Sequence, residues 1–96
     1  MQQIADAVGL AVGLHPAYLR RSCRTPDHRR ARSVYAAALD MSRGMGRLEI
    51  AHALGRVDEG DLAAMIGEAQ RRWPAETRWV IEQARIRARY LWSQTK

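Results

Sequence analysis

The sequence predicts an all-α fold, and three observations carry the prediction. Apolar residues recur at helical spacing, as at Ile4, Val8, Ala11 and Val12, and again at Leu62, Met65, Ile66 and Ala69. Glycine and proline fall between these stripes, where helix ends belong, at Gly13, Gly44, Gly46, Gly55 and Pro74. The apolar content is mostly Ala, Leu, Ile, Val and Met, with no Phe, which suits close helix packing. A chain of 96 residues builds one hydrophobic core and not two.

The first helix starts near Ile4 and stops at Gly13, placed as a left-handed C-terminal residue with Leu14 as its hydrophobic contact. His15-Pro16 opens a short second helix, Pro16 at its first position, carrying Tyr18 and Leu19. Residues 20–32 follow, RRSCRTPDHRRAR, with six arginines (Arg20, Arg21, Arg24, Arg29, Arg30, Arg32) against the single acid Asp27. Thr25-Pro26-Asp27 has turn chemistry, so the stretch reads as a rigid basic loop feeding its last arginines into a third helix. That helix is expected over residues 30–43, with Val34, Ala37, Ala38 and Met41 as its core stripe and Leu39 beside it. Arg30 and Arg32 would then oppose the macrodipole in the first turn, at about 0.3–1 kcal/mol each, which suggests an anion to meet.

Gly44-Met45-Gly46 breaks the third helix. A short fourth helix spans residues 47–54, with Ile50, Ala53 and Leu54 inward and Glu49 as half of a capping box. Gly55 ends it. Asp58 N-caps a fifth helix whose buried face is Leu62, Met65, Ile66, Ala69 and Trp73. Two helices joined by so short a turn form a helix-turn-helix. Trp73-Pro74 closes the fifth helix, because a residue before proline avoids the α region. A last amphipathic helix covers residues 75–92, with Val80, Ala84, Ala88 and Leu91 in one stripe and Trp79, Ile86 and Tyr90 flanking it. The expected organisation is a helix-turn-helix domain over residues 1–73 and a C-terminal helix in residues 74–96, packed on that domain or at an interface.

The net charge is +6, the pI about 10.7, and arginine supplies every cation except Lys96. That balance favours a polyanionic partner, held by bidentate contacts. A lone Cys23 excludes an internal disulfide and fits a reducing compartment. No apolar run approaches ~18 residues, so no membrane span is expected, and the Met-Gln-Gln start lacks signal-peptide character. The expected location is cytoplasmic, at the nucleoid. His15, His28 and His52 have no metal-binding spacing, and no Ser-His-acid or paired-carboxylate pattern stands out. No cofactor, metal or enzymatic activity is expected.

The order of parts resembles a known family. Val8-Gly9, Val12-Gly13-Leu14, Leu19, the arginine stretch, Ala31-Arg32 opening an Ala-rich helix, Leu48-Glu49-Ile50 before Gly55 and a capped helix run without a gap. Over residues 4–69 this resembles the C-terminal DNA-binding domain of the bacterial replication initiator DnaA, a helix-turn-helix of the Trp-repressor-like type. The resemblance implies a basic loop in the minor groove and a recognition helix in the major groove. Arg24 lies at the loop arginine used in the minor groove, Arg32 at the arginine opening the third helix, and Ser33 replaces the polar residue after it. The family signature Gly-Arg-Asp-His-Thr-Thr has become Arg56-Val57-Asp58-Glu59-Gly60-Asp61, of which only the capping Asp58 is kept. Arg56 and Gly60 complete the candidate DNA-binding set. Glu59 and Asp61 repel phosphate, yet a carboxylate accepts from the cytosine amino group and also favours its own helix N-terminus. Reading of the usual DnaA box is not expected.

No Walker A pattern occurs, so the resemblance extends to the reader and not to the motor. By analogy the chain suits gene regulation, as in stand-alone or phage-derived regulators such as the activator of gene transfer agents. Two functions are expected from these observations. One is a double-stranded DNA-binding transcriptional regulator, a monomer or weak dimer, with weak or altered sequence readout. The other is an adapter on a DnaA-like fold that docks a protein such as RNA polymerase through Glu59 and Asp61, or through Trp79 and Trp92.

Overall fold

A computed structural model of the chain describes residues 2–13, 19, 25–43, 46–55 and 57–94. Five helices run through them: α1 (Gln2–Val12), α2 (Pro26–Arg43), α3 (Arg47–Ala53), α4 (Glu59–Arg72) and α5 (Pro74–Gln94). The described residues contain no strand, so the all-α class holds. The short helix expected after Pro16 lies outside the described residues, save for Leu19, which is buried.

α2 is the axis of the molecule and packs against each of the other four helices. Every residue from Ala31 to Leu39 is buried, which leaves this part of α2 no solvent face. A helix buried on all sides belongs at the centre of a bundle. Ala31, Ala36, Ala37 and Ala38 are small enough to let neighbours approach on several sides. The expected stripe is therefore too narrow, and Met41 is not in it. Met41 lies beyond the buried run and is 58% exposed.

α2 also begins four residues earlier than expected. The Thr25 hydroxyl accepts from the His28 N–H at 3.1 Å, and the Thr25 carbonyl accepts from the Arg29 N–H at 3.0 Å. Thr25-Pro26-Asp27 is thus an N-cap, a first-position proline and a first-turn acid. Arg30 and Arg32 leave the first turn, where the dipole acts, and Asp27 takes the favourable place there. The inference from opposed charges to an awaiting anion falls with that shift.

The remaining elements follow local chemistry. α1 buries Ile4, Ala5, Ala7 and Val8, and ends at Gly13, whose φ of 75° is left-handed and whose N–H donates to the Gly9 carbonyl at 2.8 Å. α3 buries Ile50 and Ala51, and its end is fixed by buried Leu54 and by Gly55 at φ 79°. α4 buries Leu62, Ile66 and Ala69, with Met65 and Trp73 half-buried beside them. Its last bond, Trp73 N–H to the Ala69 carbonyl at 2.9 Å, is followed at once by Pro74 and α5. α5 packs along α1, α2 and α4, and its Val80 and Ala84 join the same core.

Candidate nucleic-acid interface

Of the candidate residues in the arginine stretch, Arg20, Arg21 and Arg24 lie outside the described residues. Their two flanks are described. Leu19, before them, is buried and offers its carbonyl inward; Thr25, after them, caps α2. The stretch is covalently tied at both ends to the helical body.

Arg32 fastens the first flank by a hydrogen bond. It is 9% exposed, and its Nε donates to the Leu19 carbonyl at 3.1 Å. Its second terminal nitrogen (Nη2) donates to the Leu54 carbonyl at 2.9 Å. Both acceptors are main-chain groups, one at the start of the basic stretch and one at the C-terminal end of α3. The latter is the negative end of a helix dipole, where a cation is favoured. A guanidinium suits the place because its rigid fork serves two separate acceptors at once, which a lysine ammonium on a flexible stem does less well. Expected at the DNA, Arg32 instead holds the fold together. Ser33, expected beside it, is 1% exposed and likewise turned into the core. Burial removes both from any direct contact.

Arg29 and Arg30 remain near the surface but are engaged. Arg29 donates Nε and Nη2 to the two oxygens of Glu68, at 3.0 and 2.9 Å, joining the first turns of α2 to α4. The same Glu68 carboxylate lies 4.0 Å from Arg72, whose guanidinium sits 5.0 Å over the Trp73 ring. Arg30 pairs at 3.6 Å with Asp27, one turn earlier. Glu68 and Arg72 were not singled out from the sequence. Their spacing of four on one helix was the available signal; Arg29, 39 residues away from Glu68, gave none.

The start of α4 has the cap that Asp58 predicts: its carboxylate accepts from the Gly60 N–H at 3.1 Å. That N–H, on a candidate DNA-binding residue, is therefore already used by the cap. A side chain at Gly60 would place its Cβ 3.2 Å from the Asp58 carboxylate, so the glycine leaves room for the cap. Glu59 and Asp61 are exposed in this first turn, and Arg56 lies outside the described residues. Beside them Leu48, Ala51, His52, Val57 and Asp58 line an open depression of about 370 Å³. Leu48, on its edge, is 74% exposed, the most exposed large apolar side chain among the described residues.

On α5, Trp79 is exposed, while the side chain of Trp92 lies outside those described. No group of His, Cys, Asp or Glu among the described residues is arranged to hold a metal ion. No helix among them is long and apolar enough to cross a membrane. Compared with known proteins, the chain matches no family model, no curated protein and no solved structure.

Proposed function

We propose that the chain is a double-stranded DNA-binding transcriptional regulator, non-enzymatic, with α3 and α4 as a DnaA-like helix-turn-helix. The arginine stretch before α2 grips the backbone and minor groove, and the start of α4 approaches the major groove. One observation carries this reading: Arg32 bonds both to Leu19, where the basic stretch begins, and to Leu54, where the α3–α4 turn begins. The residue that precedes the basic stretch and the residue that closes α3 are thereby anchored to one buried side chain, which supports a joint site. With Glu59 and Asp61 exposed at the tip of α4, sequence readout is weak or altered relative to the resembled family.

The test is a salt series of duplex binding by the full chain, followed by fluorescence anisotropy. The log of the binding constant falls with log salt by about 0.9 per phosphate neutralised. Arg24→Ala weakens binding, and Glu59→His with Asp61→Thr strengthens it. Binding that ignores both changes and ignores salt rejects the reading.

A second reading has its own observation, the exposed Leu48 on an apolar depression next to Asp58, Glu59 and Asp61. An adapter would seat a protein such as RNA polymerase there. It predicts a complex that survives nuclease and high salt and dissociates on Glu59→Lys.

A further inference from the structure

We propose that Arg29 and Arg72 together form a second phosphodiester-binding point, at the corner where α2 meets α4, with Glu68 as the residue that positions both. The inference rests on the DNA-binding reading and adds to it a site on the far half of α4.

The geometry is a partly buried anion beneath two exposed cations. Glu68 has 13% of its side chain exposed, whereas Arg29 and Arg72 each have 63%. Two guanidiniums over one carboxylate leave a net positive charge, unlike an ordinary surface pair, which is neutral. Arg29 commits Nε and one terminal nitrogen to Glu68, so its other terminal nitrogen keeps its donors for a further acceptor. Arg72 is steadied on two sides, by Glu68 and by the face of Trp73. Arginines whose orientation is fixed in advance lose less freedom when they bind, which favours a small multivalent anion such as a backbone phosphate.

The bland account is that Arg72 answers the α4 dipole and pairs with Glu68 one turn away. It leaves unexplained why Arg29, from another helix, takes both oxygens of the same carboxylate. The corner also continues the arginine stretch: Arg29 stands one helical turn after Thr25, where that stretch joins α2. An acidic protein segment is the competing ligand class, and the test separates it.

The experiment uses the full chain, a fluorescent duplex of random sequence and a salt titration. Arg72→Ala is expected to weaken binding on the order of tenfold, the low end for one charge-assisted contact, and to lower the salt slope by about 0.9. Arg85→Ala, an exposed arginine on α5, removes the same charge elsewhere and should leave the slope unchanged. Arg72→Lys keeps the cation without the fork and should keep the slope while recovering part of the affinity. In a Glu68→Gln background Arg72→Ala should cost less, a coupling that simple charge removal does not produce. If Arg72→Ala and Arg85→Ala behave alike while the wild type binds duplex, this corner is not a phosphate site and the DNA reading stands. If the wild type binds no duplex, both fall. Loss of binding to a polyglutamate peptide, with duplex binding untouched, would overturn the inference in favour of a protein ligand.

Discussion

Replacing Arg32 by alanine should destabilise the fold more than any other single change in the arginine stretch. The substitution removes two hydrogen bonds from a charged donor, to Leu19 and to Leu54. Bonds to charged groups contribute about 1.5–3 kcal/mol each, which bounds the loss at roughly 3–6 kcal/mol. Relief from burying a cation offsets part of this, since buried charges are costly in themselves. The net expectation is about 2–4 kcal/mol, a large share of the roughly 5–15 kcal/mol that holds a small domain. For a domain of this size that lowers Tm by roughly 10–25 °C. Arg32→Met loses the same two bonds but fills much of the vacated space, so it should cost somewhat less than alanine. Thermal and urea melts followed by far-UV circular dichroism measure both. An arginine that merely faced solvent or DNA would shift stability by about 0.5 kcal/mol or less. A Tm for Arg32→Ala within two or three degrees (roughly) of wild type, paired with weakened duplex binding, would refute the buried role and return Arg32 to the DNA surface.

Three further changes test the local arguments. Ser33→Ala should raise stability by about 1 kcal/mol, seen as a higher Tm, because its buried hydroxyl has no hydrogen-bond partner among the described residues. Thr25→Ala should cost about 1 kcal/mol and reduce amide-exchange protection at His28 and Arg29; unchanged protection there would mean that α2 does not start at Pro26. Gly13→Ala should cost on the order of 1–2 kcal/mol in a urea melt. Nothing lies within 4 Å of the added Cβ, so that cost belongs wholly to the left-handed backbone.

What could be read in advance was whatever local chemistry decides. Gly13, Gly55, Asp58 and Trp73-Pro74 each end or start a helix through their own backbone or cap, and each does so where expected. The start of α2 was ambiguous because Thr-Pro-Asp signals a turn and a helix N-terminus equally well. Periodicity could not decide, since Thr25, Pro26, Asp27 and Arg29 are all exposed and the apolar run opens only at Ala31. Burial of Arg32 and Ser33 was out of reach for a different reason. A stripe separates apolar from polar faces, and these two are polar residues in a helix with no outer face. Their environment is set by Leu19 and Leu54, 13 and 22 residues away from Arg32, and by how the helices pack.

The burial of Arg32 changes what the arginine stretch means as a charge. Six arginines on an exposed loop would neutralise up to six phosphates and give a salt slope near 5.4 (about 0.9 for each). Arg32 is spent inside, so five is the ceiling, about 4.5. Arg29 and Arg30 sit against Glu68 and Asp27, which weakens their pull at long range without removing their remaining donors. Arg29 and Arg30 therefore add less to the field at a distance than their number suggests. The withdrawn charge has another use: by holding the Leu19 carbonyl, Arg32 anchors the backbone at the residue that precedes Arg20 in the sequence. Weak binding by Arg32→Ala would then arise through position and not through a lost phosphate contact. The signature is a fall in affinity with the salt slope unchanged, read below the variant's melting range.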